Sequence, residues 1–326
     1  MIKMFTHTDL DGVGCAILAY RIFGIFNVSV EFCDYNNVDE KVNIFYESEF
    51  CKKMAEYHLV FITDISISDK LAKKIDENSK NECRFILLDH HPTALGLNKY
   101  DWCHVYIEDE WTELKTSGTE MLYKFLKKNN YIYNTCTLKC RADFLCVENF
   151  VRLTRNYDTW HWVEIKNGLI CKQINDLLYL YGRDRFIRWC LAELETYSFD
   201  SLSEFKFSPK EYVVLEINQK QIDEYIEDKN ESMFFTELCG RPCGVVFADR
   251  YVSELGNKLC TIHPEIDFVV MIDIADCKVS YRSVKDDIKL GEDIASKFGG
   301  GGHPKAAVSE FSKDMQEKIF EMIFRK

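Results

Sequence analysis

No stretch of this 326-residue sequence is apolar for the roughly 20 residues that a bilayer-crossing helix needs. The N-terminus also lacks the succession of basic, apolar and small residues that marks a secretion signal. These absences argue against a membrane or secreted protein, and we expect a soluble cytoplasmic chain without a membrane partner. Hydrophobic residues make up 47% of the sequence, which is enough to bury one large core or two ordinary ones.

The sequence also lacks an excess of basic residues, because its formal net charge is −12. Proteins that bind nucleic acid through many phosphate contacts usually have a basic face, so this composition argues against that mode of binding. An acidic chain still accepts phosphates where bound cations supply the positive charge. The 14 cysteines lack the spacing of zinc knuckles, and we interpret them as reduced core residues.

The first half of the sequence alternates strand-like and helix-like runs, which predicts an α/β fold with a parallel sheet covered on both faces. The predicted strands are Ile2–Thr6, Val28–Phe32, Leu59–Thr63 and Arg84–Leu88. The predicted helices are Val13–Phe23, Ser68–Lys80, Ser117–Lys128 and Ala142–Arg155.

The second half begins with an acidic stretch and then returns to strand-like runs. Residues 193–232 hold eleven acidic and four basic residues, and Leu215, Ile222, Tyr225 and Ile226 recur at helical spacing, so we predict a connecting helix with a solvated acidic face. From about residue 240, "CGVVFAD", "DFVVMIDIAD" and "CKVSYRSV" resemble strands and "GEDIASKF" resembles a helix. The sequence therefore predicts a smaller second α/β domain.

Acidic and imidazole side chains stand where three predicted strands end. They are His7, Asp9 and Asp11 after the first strand, Asp64 after "LVFIT", and Asp89, His90 and His91 after "RFILL". Parallel sheets bind ligands at the carboxyl ends of their strands, so we expect these residues at one edge. Converging carboxylates repel each other unless cations join them, and this donor set suits a pair of Mn²⁺ or Mg²⁺ ions. Taken alone, Asp9 or Asp11 would be a helix cap more often than a metal ligand, and Asp64 could cap the helix that follows "SIS".

Two further stretches carry candidate site residues. Asp158 in "RNYDTWHW" either completes a metal site or is an exposed cap or turn residue, and its aromatic neighbours Tyr157, Trp160 and Trp162 either stack on a base or pack in the core. The run "GGGGHPKAA" is either a flexible turn or a loop that wraps a phosphate or carboxylate. Arg282 and Ser283 provide an anion-binding fork beside it.

These motifs together resemble the DHH phosphoesterase superfamily, in the branch with a C-terminal DHHA1 domain. The matching stretches are "THTDLDG", "FITDIS", "LLDHHP" and "NYDTW" in the first half, and "VSYRS" and "GGGGHPKAA" in the second. The resemblance implies a DHH catalytic domain over residues 1–190, a helical linker over 191–236 and a DHHA1 substrate-binding domain over 237–326.

The resemblance also implies roles for individual residues. One ion, usually Mn²⁺, would be held by His7, Asp9 and Asp64, and the other by Asp11, Asp64, His90 and Asp158, with Asp64 bridging. His91 would contact the scissile phosphate and Asp89 would orient the histidines. The distal part of the substrate would be held across an interdomain cleft by Arg282, Ser283, Gly301, Gly302 and His303.

The function implied is a two-metal phosphodiesterase, in which hydroxide formed between the ions attacks phosphorus. We expect short oligonucleotides, dinucleotides or related small nucleotides as substrates, and the family allows a homodimer. In the first motif His7 stands two residues before Asp9, a spacing similar to that of RecJ-like members, which keeps a single-strand exonuclease as an alternative. A catalytically inactive nucleotide-binding regulator is a third hypothesis, although no expected ligand is replaced.

Overall fold

The computed structural model describes residues 1–50, 57–78, 84–109, 112–133, 138, 141–196 and 207–325. The chain divides into two compact units, Met1–Tyr212 and Val213–Lys326. Residues 79–80, at the end of the predicted helix Ser68–Lys80, lie outside the described residues, and so do residues 197–206 in the first part of the predicted linker. Cys136 and Cys140 also lie outside them.

The first unit is built on a five-stranded parallel sheet with the strand order β2-β1-β3-β4-β5. The strands are β1 (Ile2–Thr6), β2 (Val28–Phe32), β3 (Leu59–Thr63), β4 (Arg84–Asp89) and β5 (Cys103–Val105). The predicted bounds of the first three strands are confirmed, and β4 continues one residue further than predicted, to Asp89. The predicted α/β class with a parallel sheet is confirmed.

Both faces of this sheet are buried, because successive side chains of each strand contribute to opposite cores. Phe5, Val60 and Ile62 belong to one cluster, whereas Met4 and Phe61 belong to the other. All are essentially inaccessible to solvent. This explains why the central strands β3 and β4 consist mainly of consecutive apolar residues rather than alternating ones.

Seven α-helices are described in the first unit. They are α1 (Leu10–Phe23), α2 (Val38–Ile44), α3 (Asp69–Asn78), α4 (Gly118–Lys128), α5 (Arg141–Asp158), α6 (Leu169–Tyr181) and α7 (Arg183–Glu195). The predicted helices correspond to α1, α3, α4 and α5, whereas α2, α6 and α7 were not predicted. The difference that bears on the site is that α5 continues to Asp158, three residues beyond the predicted end.

The second unit begins within α8 (Pro209–Ser232), the predicted connecting helix. The four residues at helical spacing, Leu215, Ile222, Tyr225 and Ile226, are all buried. A mixed sheet follows with the order β10-β11-β9-β8-β7-β6, in which only β7 and β8 are parallel. Its strands are β6 (Phe234–Leu238), β7 (Arg241–Phe247), β8 (Phe268–Asp273), β9 (Lys278–Arg282), β10 (Gly301–Gly302) and β11 (Ala306–Glu310).

Two helices of the second unit, α9 (Val252–Ile262) and α10 (Asp314–Phe324), were not predicted. The helix predicted over "GEDIASKF" is instead a π-helical turn, Leu290–Ile294, followed by a 3-10 turn, Ala295–Phe298. Across the described ranges, nine cysteines are buried, as expected of core residues. No helix in those ranges combines the length and the apolar character that crossing a bilayer requires.

Candidate metal centre

Three neighbouring strands of the first sheet end at the same level. Thr6 pairs with Thr63, and Thr63 pairs with Leu88. The residues that follow them, His7, Asp64 and Asp89, therefore emerge side by side at the carboxyl edge of the sheet, where parallel α/β folds bind ligands.

The first group at this edge consists of His7, Asp9 and Asp64, whose potential ligand atoms all lie within 4.8 Å of one another. His7 Nδ1 is 2.9 Å from Asp9 Oδ2 and 3.9 Å from Asp64 Oδ2. Burial lowers the pKa of His7, but the close Asp9 carboxylate raises it overall. Asp9 also caps α1 by accepting a hydrogen bond from the Gly12 amide at 3.0 Å. The cap and ligand interpretations of Asp9 are therefore compatible.

The second group consists of Asp11, His90 and Asp158, again within 4.8 Å of one another. His90 Nε2 is 3.8 Å from Asp11 Oδ2 and 3.7 Å from Asp158 Oδ2. The same nitrogen is 3.1 Å from Asp64 Oδ1. Asp64 therefore lies between the two groups, with one oxygen near His7 and the other near His90.

Asp158 is the last residue of α5, so the hypothesis of an exposed N-cap or turn aspartate is wrong. Its side chain is 21% exposed and lies beside His90. Burial raises the pKa of Asp158 to about 7, opposed by His90 and reinforced by the charges of Asp11 and Asp9. A carboxylate at this position is thus held among other acidic groups rather than in solvent.

Asp64 is the most constrained carboxylate of the site. It is 1% exposed, and its backbone has the left-handed φ of 55°, which few residues other than glycine, Asn and Asp adopt. Burial, together with the charges of Asp9, Asp11 and Asp158, raises its pKa well above the ordinary value. Such a carboxyl ionises readily only if a cation lies beside it.

Asp89 and His91 form a separate pair next to the two groups. Asp89 Oδ1 accepts a hydrogen bond from His91 Nδ1 at 2.7 Å, and the Ser66 hydroxyl donates to the other oxygen, Oδ2. Burial lowers the pKa of His91, but the bond to Asp89 and the surrounding carboxylates outweigh burial and raise it to about 9. His91 is therefore a cation at neutral pH, and its Nδ1 proton is fixed by Asp89.

Sequence reasoning missed the residues that hold Asp11 in place. The Gly118 and Thr119 amides, at the start of α4, donate to the two Asp11 carboxylate oxygens, the latter at 2.9 Å. A Cβ on Gly118 would come 2.6 Å from the Asp64 Cβ, so only glycine allows this approach. The sequence signal was the helix start "TSGT", which could have been recognised as a source of unpaired amides.

Tyr35 was also missed. It follows β2 at the same edge of the sheet, and its hydroxyl lies 3.1 Å from His91 Nε2. The rule applied to the ends of the other strands would have pointed to residues after Phe32, but a tyrosine carries no metal-ligand signature.

In the second unit, the predicted substrate-binding residues share one end of the mixed sheet. Arg282, the last residue of β9, pairs with Ala306 of β11, and the turn from His303 to Ala306 joins β10 to β11. His303, Gly301 and Gly302 are exposed. Gly302 has a φ of +139°, a conformation that requires glycine.

The two predicted anion-fork residues are largely engaged inside the second unit. Ser283 is 1% exposed, donates to the Asp267 carbonyl at 2.7 Å and accepts from the Lys285 amide. The Arg282 guanidinium donates to the Tyr281 carbonyl and the Ser253 hydroxyl, and burial lowers its pKa. The Ser283 hydroxyl thus stabilises the backbone at the end of β9. A substrate would contact the exposed turn and the accessible part of Arg282.

The aromatic residues after Asp158 are half-buried and close together. The Trp160 and Trp162 rings form an edge-on pair with centroids 5.3 Å apart, and Trp160 has a φ of 63°. The Trp162 Nε1 atom is buried without a hydrogen-bond partner among the described residues. Base stacking by these residues stays a prediction.

The first-unit residues fit a pair of divalent cations. His7 Nδ1 and Asp64 Oδ2 are buried, and neither makes a well-aligned hydrogen bond to any residue in the described part of the chain. Buried polar atoms are rarely left unsatisfied, so a ligand between these two atoms accounts for both. The mixture of carboxylate and imidazole donors matches Mn²⁺ or a similar ion.

Comparison with known proteins identifies the family of the chain. The DHH family, N-terminal domain, matches residues 1–147. The chain is also 32% identical over 325 residues to the oligoribonuclease NrnB of Bacillus subtilis strain 168, a match that covers 100% of this chain and 76% of that protein. The chain belongs to the DHH family. As a DHH phosphoesterase it is a hydrolase that depends on divalent metal ions.

Solved structures show the same fold. RecJ from Thermus thermophilus in complex with Mn²⁺ matches with a TM-score of 0.58 and 13% identity, over 99% of this chain and 51% of that one. An exonuclease RecJ bound to manganese matches with a TM-score of 0.55 and 12% identity, over 99% and 88% of the two chains. These similarities establish the DHH fold of the chain.

Proposed function

We propose that this DHH protein is a two-metal phosphodiesterase that uses Mn²⁺ and hydrolyses short oligonucleotides or dinucleotides. The observation that carries the proposal is the position of Asp64, which lies 3.9 Å from His7 on one side and 3.1 Å from His90 on the other. Two cation sites that share one carboxylate are the arrangement that in-line displacement at phosphorus uses.

One ion would be held by His7, Asp9 and Asp64, and the other by Asp11, Asp64, His90 and Asp158. Bound divalent ions would supply Lewis-acid chemistry, by making water more acidic and by neutralising the charge of the phosphodiester. They would also account for a polyanionic substrate on a chain of net charge −12.

His91 would act directly on the scissile phosphate. Because Nδ1 donates a hydrogen bond to the Asp89 carboxylate, Nε2 is the ring atom left for a ligand, and a phosphate oxygen would take the place of the Tyr35 hydroxyl that lies 3.1 Å from it. The Asp89 carboxylate raises the pKa of His91, which favours the positively charged imidazole, and Nε2–H would donate a charge-assisted hydrogen bond to the phosphate oxygen. Charge that develops on that oxygen in the transition state is then stabilised without reorganisation of the side chain.

The choice of short nucleic acid rests on two supports. The relative that matches this chain over its whole length is named an oligoribonuclease. The acidic composition also disfavours a long basic track for an extended strand. We likewise propose that the exposed turn of residues 301–303 and Arg282 bind the part of the substrate away from the scissile bond, as a DHHA1 domain would.

A panel of substrates with added Mn²⁺ tests the proposal. Purified protein is incubated with a 5′-phosphorylated dinucleotide, a five-residue RNA and a long 5′-phosphorylated single strand, beside an Asp89→Ala variant prepared in the same way. We expect fast cleavage of the two short substrates and none by the variant. Cleavage confined to the long strand would favour the RecJ-like exonuclease, and binding without cleavage would favour the inactive regulator.

A further inference from the structure

Tyr35 is an exposed aromatic residue that the protein holds in a fixed position. It is 62% exposed, in the connection between β2 and α2. Its hydroxyl lies 3.1 Å from His91 Nε2, and its ring centroid lies 5.1 Å from that of His7. The ring meets the His91 ring edge-on at 5.9 Å. These contacts hold the ring beside the two histidines while more than half of the residue stays accessible.

Tyr35 also lines a cavity beside the metal centre. The cavity has a volume of about 410 Å³ and is bounded further by His91, Ser66 and Thr93. This volume falls within the roughly 300–1,000 Å³ of typical small-molecule sites. A ligand group in the cavity would therefore lie directly next to a phosphate that contacts His91.

The charges of the cavity disfavour a second phosphate. Its described lining includes three aspartates, Asp39, Asp69 and Asp89, and a single lysine, Lys99. Lys99 is paired with Asp69 at 2.6 Å, so its charge is already balanced. A neutral group with hydrogen-bonding atoms fits this lining better than an anion does.

We propose that Tyr35 is a stacking platform for the base of the nucleoside next to the scissile phosphate, and that the cavity beside it receives this nucleoside. An aromatic ring that is already immobilised loses little entropy on stacking. Aromatic stacking is also tolerant of base identity, so it does not restrict the proposed substrates to one sequence. The inference rests on the proposed function, because it assigns part of the substrate to this surface.

Two variants separate the contribution of the Tyr35 ring from that of its hydroxyl, and a third serves as a control. Tyr35→Leu removes the aromatic ring, Tyr35→Phe keeps it and removes only the hydroxyl, and Tyr179→Leu is a control on α6, where the tyrosine is 72% exposed. Each protein is assayed with Mn²⁺ on a 5′-phosphorylated dinucleotide and on analogues with an abasic residue at one or the other position. Binding of a non-hydrolysable dinucleotide analogue to the Mn²⁺-loaded proteins is measured by calorimetry.

We expect Tyr35→Leu to raise the KM for the dinucleotide by about 5- to 150-fold, the range that corresponds to one stacked base. With the analogue that lacks the stacked base, Tyr35→Leu and the wild type should have the same KM within about twofold. Tyr35→Phe should keep the wild-type KM, although its kcat falls if the hydroxyl positions His91. The calorimetric affinities should follow the same order.

Two outcomes would overturn the inference and leave the proposed function intact. In one, the wild type cleaves the dinucleotide and Tyr35→Leu leaves its KM unchanged. In the other, Tyr35→Leu raises the KM equally for the dinucleotide and both abasic analogues. A wild-type protein that neither binds nor cleaves the dinucleotide would overturn both proposals.

Discussion

The carboxyl edge of the first sheet and the turn at the end of the second sheet were both predicted to bind ligands. They differ in whether their buried polar atoms have hydrogen-bond partners. At the first edge, Asp64 Oδ2 and His7 Nδ1 are buried without a well-aligned hydrogen bond to any described residue. At the second, the buried Ser283 hydroxyl both donates and accepts. Unsatisfied buried groups point to a missing ligand, whereas satisfied ones build the fold.

The largest effect on activity is expected for the variant Asp64→Asn. Asn keeps the shape and tolerates the left-handed backbone, but it removes the charge shared by both cation sites. We expect activity to fall by more than the roughly 100-fold that loss of an outer-sphere partner costs at metal sites. Mn²⁺ binding, measured by calorimetry, should fall as well.

The same substitution should raise the melting temperature of the chelator-treated protein, because the wild type must either keep a proton on this buried carboxyl or ionise it among other carboxylates, and Asn does neither. Asp184→Asn, at an aspartate whose side chain is 83% exposed, is the matched control and should change neither property. A metal affinity equal to that of the wild type would contradict the bridging role of Asp64.

Gly118→Ala tests whether metal binding requires the close packing of the α4 backbone against Asp64 and Asp11. The new Cβ would lie 2.6 Å from the Asp64 Cβ and 3.0 Å from Asp11 Oδ2, so these carboxylates must move. We expect metal affinity to fall by about 10- to 100-fold and the protein to lose stability. Gly96→Ala, where a Cβ meets no atom within 4 Å, should leave metal affinity and melting temperature as they are.

The pH dependence of metal binding tests the state of Asp158. Its pKa is raised to about 7, so below that pH the metal-free protein holds a proton there that a cation must displace. Below pH 7 the apparent affinity of the wild type for Mn²⁺ should therefore fall more steeply than that of Asp158→Asn, by about tenfold more for each pH unit. Calorimetry at pH 6 and pH 8 in buffers of different ionisation enthalpy counts the released protons, and at pH 6 the wild type should release about one more proton than Asp158→Asn.

A smaller effect is expected at the exposed turn of the second unit. His303→Ala should raise the KM for a short oligonucleotide by about 3- to 10-fold, as the loss of one hydrogen bond to a phosphate would. Metal affinity should not change, since all the proposed ligands belong to the first unit. A variant with wild-type KM would remove His303 from the proposed substrate contacts.

The smallest expected effect on catalysis belongs to Ser283→Ala. Because the hydroxyl is used inside the fold, the variant should lose about 1 kcal/mol of unfolding free energy and keep its KM within about twofold. Ser309→Ala, at another buried serine of the same sheet, should lose a similar amount. Denaturant titration and steady-state kinetics give both values, and a large rise in KM would instead show that Ser283 contacts substrate.

The sequence predicted the first sheet well because its strands are buried on both faces. Ile2–Thr6 and Leu59–Thr63 are mostly apolar runs with polar residues directly after them, so their ends are visible without any tertiary information. The same ends placed His7, Asp64 and Asp89 at one edge, as the structure has them.

The remaining parts depend on packing between distant segments. The contact between Gly118 and Asp11 is invisible in the sequence, because it depends on how α4 packs beside α1. The predicted helix ended before Asp158 because "NYDTW" lacks an apolar stripe, although α5 continues to that residue. The helix predicted over residues 291–298 is helical but is not a regular α-helix, because a π-helical turn passes into a 3-10 turn that ends at Gly299 with its positive φ.

The bond between Gly118 and Asp11 spans 107 positions of the chain, and the second group of ligands is completed only at Asp158. During synthesis, roughly half of the polypeptide must therefore leave the ribosome before the ligands of both cations are present. Binding of the second ion therefore reports when the first unit can complete its metal centre. On stalled nascent chains of increasing length, the signal of a manganese-sensitive probe should change abruptly once Asp158 has emerged.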